Sequence, residues 1–174
     1  MVDLDSRCGA VFTYRELLEC SNTWKQAAAD QKPIDNLPRE QSTFAALHAL
    51  AVEILDPVAA EFGRPTITYG FGGPQLTRLI AAQIAPHLDQ HAAHEQRAGQ
   101  PICTRLGAAV DFLVDGVPSL QVARWIFEHR RFDRIYLYGD ERPMHVSLGP
   151  DPARMVVELR RTPSGHQVPH RLRW

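Results

Sequence analysis

The sequence predicts a single α+β domain in which helices pack on a small, mostly antiparallel sheet. Helical periodicity is concentrated in the first half and most β-forming runs follow it, which favours segregated layers over a doubly wound sheet. At 174 residues the chain is long enough for one domain with one buried core. Its three cysteines, Cys8, Cys20 and Cys103, are odd in number and lack C-x-x-C spacing, so no disulfide framework or zinc knuckle is expected to staple the fold.

Thr13-Tyr-Arg-Glu16 reads as a capping box, opening a short helix through Leu17, Leu18 and Cys20. Trp24 to Pro38 reads as a polar connector. Ser42 is expected to cap the longest helix, in which Phe44, Leu47, Leu50, Ala51, Ile54, Leu55 and Val58 recur at three- and four-residue spacing. Pro57 should kink that helix, and Gly63 should end it. Pro65 to Tyr69 is rich in β-formers and leads into Gly70-Phe-Gly-Gly-Pro74, a turn cluster suited to close backbone approach. A second helix is expected from Pro74 or Gln75 to Ala82. Beyond the polar segment from Ala85 to Gln100, a buried strand is expected over Gly107 to Val114 and a helix capped by Ser119 after it. Strands should follow over Arg134 to Tyr138, Met144 to Leu148 and Met155 to Leu159. The organisation expected is an N-terminal helix and connector over 1–41, the main domain over 42–160 and a basic tail over 161–174.

With 19 Lys+Arg against 20 Asp+Glu, the formal net charge is -1, which supplies no global field for nucleic acid or an anionic membrane. The basic residues Arg154, Arg160, Arg161, His166, His170, Arg171 and Arg173 could contact phosphates or an acidic partner, but read more simply as a solvated edge strand with a mobile end. The acidic start, Met-Val-Asp-Leu-Asp, is unlike a secretion signal, so a cytoplasmic protein without a membrane anchor is expected. The expected partner is a small molecule or peptide held in a cleft.

Two polar residues break apolar patterns. Asp111 interrupts the buried run, and His145 heads a β-like run, as two metal ligands on neighbouring strands would. His91, His94 and Glu95 would share one face of a helix and could bind a metal jointly, although the spacing is not that of H-E-x-x-H; the bland alternative is a solvated polar helix. Gly70-Phe-Gly-Gly73 lacks the Lys-Ser/Thr of a phosphate loop.

The succession of a long helix, Ile67-Thr-Tyr-Gly-Phe71, Gly107-Ala-Ala-Val-Asp111-Phe112, Phe132-Asp-Arg-Ile135 and His145-Val-Ser147 resembles the hedgehog/D-Ala-D-Ala peptidase superfamily, which includes zinc carboxypeptidases and phage endolysins. The resemblance covers about Phe44 to Leu148. It implies that fold and a zinc-dependent hydrolase, with Asp111 and His145 matching two ligands of the motif S-x-H-x-x-G-x-A-x-D and its later His. Counting back from Asp111, the first His of that motif falls on Thr104, and the family's Ser-Gly-Tyr-Arg turn reads Tyr69-Gly-Phe-Gly72. The acidic position after the F-D-x-x-I strand is Tyr138.

A zinc site needs a third protein ligand. Cys103, beside Thr104, could supply it or act as a nucleophile, or be a small buried hydrophobe; the His91/His94/Glu95 group is the other source. Asp140 and Glu141, shortly before His145, are the candidate bases, or else a charged hairpin turn. A non-catalytic binding protein on the same scaffold is the alternative function.

Overall fold

In the computed structural model, residues 2–80, 86–162 and 166–174 are described. The capping box forms: Glu16 N donates to Thr13 Oγ1 and Thr13 N donates to Glu16 Oε2 at 2.9 Å, starting α1 (Tyr14–Leu18). The polar connector holds a helix, α2 (Asn22–Ala29), capped by the Ser21 hydroxyl. It escaped the periodicity search because it buries no residue and so shows no apolar stripe.

The long helix begins as α3 (Gln41–Leu50), passes through one π-helical turn over Ala51–Leu55 and ends as α4 (Asp56–Phe62). Its cap differs from the expectation. Ser42 lies inside the helix and the N-cap residue, Glu40, makes no side-chain cap bond. The Glu95 carboxylate, far along the chain, instead accepts from Arg39 N, Glu40 N and the Thr43 hydroxyl. The wide turn sits just before Pro57, where it accommodates a residue that lacks an N–H and crowds the preceding carbonyl. By length and hydropathy the 41–62 stretch could cross a membrane. Here Leu47, Leu50, Ala51, Ile54, Leu55 and Val58 are buried in the core.

Six strands form one sheet. They are β1 (Thr66–Tyr69), β4 (Ala108–Leu113), β5 (Arg134–Leu137), β6 (Met144–Leu148), β7 (Met155–Arg161) and β8 (Gln167–Leu172), in the order β1-β4-β6-β5-β7-β8. Only the β5–β7 pair is parallel. Between β1 and β4 lie a short α5 (Pro74–Thr77) and a small hairpin of β2 (Gln96–Arg97) and β3 (Gln100–Pro101). The helix expected to reach Ala82 ends as α5 at Thr77; its expected last turn falls partly outside the described residues. α6 (Ser119–His129) links β4 to β5. Ser119 is its first residue and not its cap, because its hydroxyl donates to the Arg142 carbonyl at 2.6 Å. The segment expected as a tail pairs with β7 from Val156 to Arg161 as β8.

Period-two alternation sorts the strands into two faces. Val110, Phe112, Met144, Val146 and Ile135 join the cluster that contains Leu50, Ile54 and Ile126. Asp111 and His145 alternate with these residues, so they point to the opposite face. The molecule is thus one mixed α+β domain in which the sheet face opposite this core carries the polar residues.

Candidate metal centre

Register alone brings the first two groups together: Asp111 lies directly opposite His145 across the β4–β6 ladder. A bulge between Ile67 and Tyr69 in β1 sets Tyr69 opposite Asp111 on the other side. The third group arrives from a loop. Asp89 accepts the His91 N–H at 3.0 Å and starts a 3-10 turn over Gln90–Ala92. His91 is 3% exposed and enters the same spot from above the strands.

Three donor atoms converge there. His91 Nε2 lies 3.2 Å from Asp111 Oδ1 and 3.1 Å from His145 Nδ1, and His145 Nδ1 lies 2.9 Å from Asp111 Oδ1. Among the described residues this is the group of His, Cys, Asp or Glu side chains able to hold a metal ion. Metal–nitrogen bonds of 2.0–2.1 Å in a tetrahedral zinc site place donors about 3.3 Å apart, so the triangle is close to the size needed.

The glycine cluster holds His91 in place. His91 Nδ1–H donates to the Gly70 carbonyl at 2.6 Å, which fixes the tautomer and leaves Nε2 free to face Asp111. Gly72 N donates back to the His91 carbonyl at 2.9 Å. Gly70 must lack a side chain, because a Cβ there would collide with the Leu17 carbonyl, to which Phe71 N is bonded. The Tyr69 ring lies 4.3 Å from the His91 ring, and its hydroxyl is buried against Gly72 without a hydrogen-bond partner among the described residues.

Burial alone would push the His91 imidazolium down, but the Asp111 carboxylate beside it outweighs that, and the pKa stands at about 9. Burial would likewise raise Asp111, yet the two imidazoles hold its carboxyl well below the usual range. The carboxylate thus favours the charged form of His91, and a divalent cation bound at the three donors would compete with that proton. Burial first, then the Asp111 and Asp89 charges, keep the Tyr69 and Tyr138 hydroxyls protonated.

The site opens into a cleft of about 310 Å³, lined by Ser21, Asn22, Thr68, Asp89 and Tyr138 among others. No family model matches this chain, and neither a curated protein nor a solved structure matches it. The geometry therefore stands on its own.

Of the residues singled out from sequence, the structure brings His91, Asp111 and His145 together and separates the rest. His94 and Glu95 do not share a helix face with His91, because Ala93 adopts φ 49° and ends the turn. His94 Nε2 instead accepts from Gly107 N at 3.2 Å, and Glu95 caps α3. Cys103 is also outside the donor group. It precedes β4, separated from it by Leu106 and Gly107 at φ 56° and 83°, and its thiol donates to the His87 carbonyl at 3.5 Å. Burial pushes that thiol upward, opposite to what a nucleophile or thiolate ligand needs. Thr104 is exposed beside it.

Asp140 and Glu141 are exposed in the turn before β6 and line a different cleft, with Asp115 and Val117. They sit at the end of the strand pair, whereas His145 is one residue inside β6 on the site face, so they do not line its cleft. Besides the donor Asp111, the carboxylate that lines it is Asp89, to which sequence reasoning gave no role. Its one sequence signal is position, two residues before His91.

Proposed function

We propose that the protein is a zinc-dependent hydrolase whose metal is held by His91 Nε2, Asp111 Oδ1 and His145 Nδ1. The observation that carries the proposal is the convergence of these three donors, from a loop and two strands, at the floor of an open cleft. Three protein ligands and one open position are what catalytic zinc requires, and zinc so held polarises a carbonyl and acidifies bound water. The chain's own part is to fix the donors. β-Ladder register sets Asp111 against His145, and the Gly70 carbonyl orients His91.

This reading also accounts for the misplaced motif of the hedgehog/D-Ala-D-Ala peptidases. If His91 is its first His, then His91-Ala-Ala and Gly107-x-Ala109-x-Asp111 are its two halves, separated by the segment 94–106 that carries the β2–β3 hairpin. The His94–Gly107 hydrogen bond clamps the two ends of that segment together. Thr104 then belongs to the inserted segment, and Asp89 takes the place of the motif's Ser.

A second reading, a binding protein that uses the metal without hydrolysis, is favoured by one observation: neither Asp140 nor Glu141 lines the cleft, and Tyr138 does. Elemental analysis tests the metal. Stoichiometric zinc is expected in the wild type, in Cys103→Ser and in His94→Gln, and none in His91→Ala, Asp111→Ala or His145→Ala. Zinc-free wild-type protein, or loss in Cys103→Ser alone, would sink the proposal. Turnover of a panel of peptides and amides by the zinc-loaded protein separates hydrolase from binding protein.

A further inference from the structure

The charge and hydrogen-bonding character of the cleft point to what it accepts. No Arg or Lys is among the described residues that line it. Two carboxylates do line it, Asp89 and Asp111. Asp111 is answered by two imidazoles at 2.9 and 3.2 Å. Among the described residues, the hydrogen bond to Asp89 comes from a backbone amide, the His91 N–H on its Oδ1, which holds the carboxylate still without neutralising it. The exposed Arg142 acts on Tyr138 from the turn before β6 and is not part of the lining.

One hydroxyl adds an acceptor. Thr68 donates its proton to the Asp111 carbonyl at 3.1 Å, so what it can offer a ligand is lone pairs. A carboxylate-bearing ligand would meet Asp89 as a like charge with no guanidinium to receive it. An ammonium group would find a fixed carboxylate beside the metal donors.

We propose that the cleft selects ligands carrying a protonated amine next to the metal-binding group, and that Asp89 is the residue that holds the amine. This rests on the zinc reading above and excludes substrates recognised through a terminal carboxylate. It makes Asp89 a specificity determinant.

Three hydroxamates of similar size test it by calorimetry on zinc-loaded protein whose zinc content is measured first: glycine hydroxamate, which carries an ammonium, neutral propionohydroxamate, and the carboxylate-bearing monohydroxamate of succinate. The expected order of affinity is ammonium, neutral, carboxylate, with at least about a tenfold step from first to last. In Asp89→Asn, which keeps the acceptor for His91 N, zinc content and propionohydroxamate affinity should be unchanged while the order collapses to within about twofold. Zinc-loaded wild type that binds the carboxylate compound as tightly as the ammonium one overturns the inference and leaves the zinc reading standing. So does an unchanged order in Asp89→Asn. Wild type that takes up no zinc overturns both.

Discussion

At the scale of single residues, the site depends on backbone placement as much as on its donors. His91 can face Asp111 only because Gly70 brings its carbonyl to Nδ1, and Gly70 can do so only because no side chain meets the Leu17 carbonyl. Gly70→Ala is therefore expected to shift the turn and lower zinc affinity by about 10- to 100-fold, the usual cost of losing a hydrogen bond that orients a ligand. Chelator competition reads the loss, and a thermal melt shows whether the fold survives. Asp111 and His145 were visible in the sequence because each interrupts an apolar alternation. His91 was visible only as one of several candidates. What separated it from His94 was the positive φ of Ala93, a backbone choice that an alanine does not advertise.

At the scale of elements, the central helix is organised by groups distant in sequence. Glu95 takes two backbone N–H groups and the Thr43 hydroxyl at its N-terminus. Near its C-terminal half, Asp56 accepts from Ala10 N at 2.7 Å and Val11 N at 3.1 Å, tying the N-terminal segment to it. Glu95→Ala should lower stability by about 1–3 kcal/mol, since it leaves buried donors unanswered at a helix start. A reduced urea midpoint with unchanged slope would show it; an unchanged midpoint would mean that water replaces the carboxylate without loss. Periodicity located this helix and Pro57 marked its irregularity. The cap was misassigned to Ser42 because a local search cannot see an acceptor brought in by tertiary contact.

At the scale of the whole molecule, one buried ion pair joins parts that the sheet does not. Asp133 is fully buried at the head of β5, and its carboxylate receives Arg105 Nε at 2.8 Å, Arg105 Nη2 at 2.5 Å and Ala153 N at 2.9 Å. It ties the loop before β4 to the loop before β7. Burial would raise the Asp133 carboxyl, but Arg105 and the Ala153 amide outweigh it and hold the pKa below its ordinary value. A depressed folded-state value means that the pair's stability is present above the unfolded carboxyl's pKa of about 4 and is lost as pH falls through the folded one. Asp133→Asn is expected to cost about 2–4 kcal/mol near neutral pH, with Arg105 partly exposed. Its deficit relative to wild type should shrink as pH falls through the depressed folded-state pKa of Asp133. Urea titrations across pH would measure both, and a deficit independent of pH would rule out the charge as its source.

The sequence by itself determined the α+β class, the central helix, the main strands and the placing of Asp111 and His145 in β-forming runs. Each of these follows from local alternation or periodicity, which burial on one face imposes on the residues themselves. Tertiary structure alone decided which third donor reaches that pair, which carboxylate faces the cleft and which caps the long helix. Those outcomes depend on where loops return in space, and loop paths are set by turn conformations such as Ala93 and by glycine contacts such as Gly70 with Leu17. Neither leaves a period in the sequence.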